Sequence, residues 1–130
     1  MYYSIEEIKI MRKLLKDKKY FMPKYFVNIS DEMFQKFCNG IGAEFFPKLL
    51  RKYLTKLFFV FELAAMVHDV EYGIGGNYWT FTNANLRFIT NGVAAAIRLH
   101  SFKFACYALL FGILCQIFGY KAFNKKGSTA

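Results

Sequence analysis

His68, Asp69 and Tyr72 stand in the order His-Asp-x-x-Tyr inside AAMVHDVEYGIGGNYWTFTNANLRF (residues 64–88), in a chain otherwise rich in apolar and basic residues. On a helix His68 and Tyr72 lie one turn apart on the same face, while Asp69 is rotated by about 100°. One helix thus offers an imidazole to a neighbouring helix and a carboxylate to a loop. Ala64 and Ala65 are small enough to let another backbone approach the imidazole. An imidazole with one nitrogen held by an acceptor and the other free is a general base. A buried histidine merely satisfied by Asn or Tyr is the other reading of the same residues.

Positioning that pair requires helices. From Leu54 to Tyr72 the apolar periodicity is long enough for a buried helix, opened upstream by Pro47 and ended by Gly73, Gly75 and Gly76. After an aromatic loop, residues 83–99 read as a second long helix with Ala84, Phe88, Ala95 and Ile97 on its apolar side and Gly92 interrupting. A connection of about ten residues makes the two antiparallel, which sets Asn85 near His68 and Tyr72. The amide oxygen of Asn85 could then accept a proton from one imidazole nitrogen and fix the tautomer.

Elsewhere, residues 4–19 place Ile5, Ile8, Met11, Leu14 and Leu15 at helical spacing among lysines, predicting a basic amphipathic helix laid on the core or on a membrane surface. MPKYFVN breaks that pattern, and Ser30 caps a short helix over DEMFQKFC. Asn39-Gly40-Ile41-Gly42 lets carbonyls converge, as a plain turn or a hard-cation site would use. Residues 104–120 are uncharged, at the short limit for crossing a bilayer; Gln116 and two glycines favour a buried or half-buried final helix over a transmembrane one. The alternation of a strand is absent throughout.

The chain is 130 residues long, 55% hydrophobic and 20% aromatic, which suits one domain with a real core and more aromatic surface than that core needs. A domain over residues 1–123 with a flexible tail at 124–130 is expected. Cys38, Cys106 and Cys115 have neither a disulfide framework nor zinc spacing. The net charge of +9 points to an anionic partner. Lysine outnumbers arginine and no nucleic-acid module is visible, so a phospholipid surface, anionic by preference, is expected rather than nucleic acid. With acidic residues in its first turns, no uninterrupted apolar core and no small-residue cleavage site, the N-terminal stretch is not expected to be a signal peptide, and the expected location is cytoplasmic or membrane-associated.

Four blocks in order resemble the phospholipase A2 superfamily, in particular its disulfide-free phage-related and parvovirus-capsid members. CNGIGAEFFPKLL is similar to the calcium loop, AAMVHDVEYGIGG to the catalytic helix, NANLRF to the Ala-Asp-x-x-Phe partner helix and IFGYKAF to the Phe-Gly-x-x-Ala-Phe ending. Together they span roughly residues 38–123. The resemblance implies an all-α domain that hydrolyses the sn-2 ester of glycerophospholipids, with His68 as general base and Tyr72 bracing it. It also implies calcium held by the Asp69 carboxylate and the backbone carbonyls of Cys38, Gly40 and Gly42. The chain departs from the family at Asn85, where the catalytic aspartate would stand. An amide can orient the ring but carries no charge to stabilise an imidazolium. A catalytically weakened, phage-derived protein that binds lipid or membrane is therefore the alternative.

Overall fold

The computed structural model describes residues 3–38 and 48–123, with the backbone alone over 48–60. It is all helical: α1 (Ile5–Asp17), a 3-10 turn (Lys24–Asn28), α2 (Asp31–Phe37), α3 (Lys48–Ile74), α4 (Tyr78–Arg98), α5 (Phe102–Phe118) and a closing 3-10 turn (Gly119–Lys121), with no strand among the described residues. The expected all-α class and single small domain hold.

Helix α3 is the axis of the molecule. Met66, Val67 and Val70 face a first core shared with Ile8, Met11 and Leu15 of α1 and Phe34 of α2. Phe61, Ala64 and Ala65 face a second core with Phe88 of α4 and Ala108, Phe111 and Cys115 of α5. Residues 61, 65, 68 and 72 share one face at helical spacing. The second core therefore runs along α3 straight into His68 and Tyr72.

The N-terminal helix follows its sequence closely. Ser4 accepts from the Glu7 N–H while Glu7 Oε1 accepts from the Ser4 N–H, a complete capping box. Ile8, Met11 and Leu15 are buried on the domain, while Leu14 of the same stripe and neighbouring Ile10 remain exposed. Ser30 caps α2 as expected, accepting from the Met33 N–H.

Two boundaries differ from expectation. Helix α3 continues through Gly73, whose missing side chain makes room for the Phe37 ring, and the chain reverses instead at Gly75 (φ 74°) and Gly76 (φ 139°). The expected aromatic loop is the first turn of α4: Asn77 accepts from the Thr80 N–H, starting the helix at Tyr78 rather than at residue 83. Gly92 does not interrupt α4. A Cβ there would lie 2.8 Å from the Ala108 Cβ, and one at Gly112 would overlap Ile89, so both glycines let α4 and α5 pack backbone to backbone. Ile97, expected on the apolar side of α4, is exposed, because residues 84, 88 and 95 define a face it does not share.

Paired positions show the helix directions. His68 meets Asn85 and Phe61 meets Phe88, so α3 and α4 are antiparallel. Gln116 meets Asn85 and Phe111 meets Phe88, so α4 and α5 are antiparallel too. A buried amide ties the N-terminal unit to this bundle: Asn91 Oδ1 accepts from the Phe21 N–H and Asn91 Nδ2 donates to the Phe21 carbonyl, both at 2.9 Å. Asn91→Ala would leave both backbone groups unpaired, and a loss of about 2 kcal/mol is expected in urea unfolding. A loss below about 0.5 kcal/mol would mean that water replaces the amide without cost.

Candidate functional site

Three helices converge on one buried amide. His68 Nε2 and Asn85 Oδ1 are 2.8 Å apart, and the Tyr72 hydroxyl donates to the same oxygen at 2.6 Å. Asn85 Nδ2 donates to Gln116 Oε1 at 2.7 Å. Gln116 Nε2 in turn donates to the Thr82 and Tyr78 hydroxyls at 3.1 and 3.2 Å. Because Gln116 takes the amide N–H, the Asn85 oxygen must face His68 and Tyr72. That oxygen only accepts, so the proton on His68 resides on Nε2 and the lone pair on Nδ1.

The ring sits among apolar neighbours. His68 is 6% exposed, its centroid 4.1 Å from that of Tyr72 and 5.4 Å from that of Phe88. Burial pushes its pKa down to about 4 against the opposing hydrogen bond to Asn85. The imidazole is therefore neutral at pH 7 and available as a base, but a weak one. Burial holds the Tyr72 phenol well above its ordinary range, so its hydroxyl remains a donor.

Three of the four blocks meet here. His68 and Tyr72 come from the first helix of the motif, Asn85 and Phe88 from its partner, and the closing block seals the end. Gly119 lies so close to the Tyr72 hydroxyl that a Cβ would come within 2.5 Å of it, and Phe123 packs edge-on against Tyr72 at 5.4 Å. Of the loop block, Cys38 is buried with its Sγ 3.9 Å from the Met66 carbonyl, while Gly40 and Gly42 lie outside the described residues.

Asp69 projects from another face of α3, half-buried. Burial first, and then the Asp69 charge, push the Cys38 thiol up. That thiol stays protonated at neutral pH, and the Cys38 carbonyl and the Asp69 carboxylate are oxygen donors. Such a pair fits a hard cation such as calcium. Among the described residues no cluster of three His, Cys, Asp or Glu side chains occurs.

Sequence reasoning missed two participants. Gln116 orients Asn85, and its signal was a lone amide in an otherwise apolar helix, which must find a polar partner when buried. Glu71 is 2% exposed and paired with Arg87, and its second oxygen has no hydrogen-bond partner among the described residues. Burial outweighs the Arg87 charge and raises its pKa to about 7. No pattern announced it, because Arg87 reaches it only through helix packing.

Compared with known proteins, the chain matches no family model, no curated sequence and no solved structure.

Proposed function

We propose that the protein is a phospholipase A2-like lipid esterase acting at a phospholipid surface, with His68 as general base. The observation that carries the reading is the fixed tautomer: Asn85 holds the protonated Nε2 and leaves the lone pair of a neutral imidazole on Nδ1. Nδ1 takes a proton from water, the water oxygen bonds to the sn-2 carbonyl carbon, the ester C–O bond breaks, and the proton passes from Nδ1 to the departing glyceryl oxygen. The products are a fatty acid and a lysophospholipid. Tyr72 braces Asn85 through the second hydrogen bond to its oxygen. The Asp69 carboxylate and the carbonyls of Cys38, Gly40 and Gly42 would hold calcium, which when bound supplies polarisation of the ester carbonyl.

The test is hydrolysis of a labelled phospholipid in vesicles with calcium or with chelator. Fatty-acid release is expected with calcium only and is expected to vanish in His68→Gln. Absence of turnover with calcium present would end the esterase reading. One observation favours a second reading, a lipid-binding protein that has lost catalysis: an imidazole held near pKa 4 beside an uncharged amide lacks the driving force of a paired one. Vesicle binding that survives His68→Gln, without hydrolysis in either protein, would select it. Both readings place the protein at a membrane.

A further inference from the structure

Helix α5 is only half used by the fold. Its inner face carries Ala108, Phe111, Gly112 and Cys115 into the core. Its outer face presents Phe102, Leu109, Leu110, Ile113 and Ile117, between 45% and 84% exposed. No charged residue occurs between Lys103 and Lys121. The stripe runs the length of the helix, about 25 Å at 1.5 Å per residue, and the neighbouring α4 extends it with exposed Leu86 and Ile97. A soluble monomer rarely exposes so long a continuous apolar surface without a use for it.

The ends of the stripe indicate what covers it. Lys103 and exposed Arg98 stand at one end. Lys121 stands at the other, near Trp79, which is 73% exposed on the first turn of α4 where Tyr78 meets Tyr120. On a helix lying in the membrane plane, these end cations and amphipathic aromatics reach the headgroups while the apolar face between them meets the acyl boundary. A second copy is the poorer occupant, since each copy carries +9 and like charges repel, whereas the same charge attracts an anionic leaflet.

We propose that the outer face of α5, with Leu86 and Ile97, is a surface that beds into the interface of an anionic phospholipid bilayer with the helix lying along the membrane plane. The segment Phe102–Lys121 is long and apolar enough to cross a bilayer, with a mean hydropathy of 1.7. Crossing would carry the antiparallel α4 with it, including Asn83 and Arg87, or else break the Gly92–Ala108 and Asn85–Gln116 contacts. Lying flat preserves them. The basic helix α1 is the weaker candidate for insertion, because Ile8, Met11 and Leu15 are in the core and only Ile10 and Leu14 stand exposed, among lysines. This inference deepens the membrane reading above and is independent of the esterase chemistry. It also gives the candidate site a lipid-side neighbour, because Gln116 stands between Ile113 and Ile117 on the bedded helix.

The test uses a cysteine already in place. Cys106 is exposed on α5 while Cys38 and Cys115 are buried, so an environment-sensitive thiol dye labels Cys106 selectively on the folded protein. Vesicles of equal parts phosphatidylcholine and phosphatidylglycerol should blue-shift the dye, and phosphatidylcholine alone should do so far less. Leu110→Gln/Ile113→Gln/Ile117→Gln, exposed changes that leave the inner face intact, should weaken vesicle binding at least about tenfold. Ile10→Gln on α1 should not. The expected pattern persists in His68→Gln, so failure of hydrolysis and failure of docking are separate results. An unshifted dye, binding unchanged in the triple variant, a dimer in sedimentation that the triple variant dissociates, or retention in the bilayer after alkaline extraction would each overturn the proposal.

Discussion

Asn85→Asp is expected to raise the His68 pKa from about 4 by on the order of two units and to increase calcium-dependent hydrolysis about tenfold or more. The carboxylate would sit where Asn85 Oδ1 now lies, 2.8 Å from Nε2, and would stabilise the imidazolium formed when Nδ1 takes a proton from water. The surroundings can accept the change. Gln116 now offers its oxygen to Asn85; with an aspartate there, its amide turns over, gives Nε2 to the carboxylate and takes hydrogen bonds from the Thr82 and Tyr78 hydroxyls, which can donate as well as accept. The chain has two histidines, and His100 is exposed, so the two ring signals can be followed separately in a proton NMR titration. Asn85→Leu works in the opposite direction: the His68 N–H and the Tyr72 hydroxyl lose their shared acceptor, and a destabilisation of about 2–3 kcal/mol with loss of activity is expected. If His68 titrates unchanged in Asn85→Asp, the amide has no electrostatic hold on the ring.

Stability of the wild-type protein is expected to be nearly flat between pH 4.5 and 6.5, and Glu71→Gln is expected to make it rise by about 2 kcal/mol across that interval. Two buried groups produce the cancellation. His68 titrates near 4 when folded against an ordinary 6.5, so the unfolded chain binds the extra proton in between, and its contribution to stability, complete above 6.5, is lost as pH falls toward 4. Glu71 titrates near 7 when folded against an ordinary 4.5, so the folded chain binds the extra proton, and its contribution, complete below 4.5, is lost as pH rises toward 7. The slopes oppose each other over the shared window. Glutamine at 71 keeps a partner for Arg87 while removing the titration, which exposes the histidine slope alone. His68→Gln should expose the other, with stability falling as pH rises. Urea unfolding at several pH values measures all three proteins; a flat profile in Glu71→Gln would show that His68 is not held low by burial.

Part of this molecule was written in short-range chemistry. Helical periodicity, the Ser30 cap and the glycines after Tyr72 act over a few residues, and they gave the helices, their order and the antiparallel hairpin that sets Asn85 against His68. The start of α4 was misread because aromatic residues at 78–81 carry little local preference, while a single cap by Asn77 decides the matter. Sequence by itself thus determined which groups could do chemistry and that helices must carry them. Only the tertiary structure decided the state of those groups. The tautomer of His68 depends on Gln116, which is 31 residues from Asn85, and the raised pKa of Glu71 depends on burial against a helix that carries Arg87. In the sequence, α1 reads as an amphipathic helix for the core or a membrane surface, and residues 104–120 as a buried or half-buried helix rather than a transmembrane one. Packing buries Ile8, Met11 and Leu15 of α1 and leaves the outer face of α5 exposed, because burial belongs to the whole assembly of helices and is not encoded in any one of them.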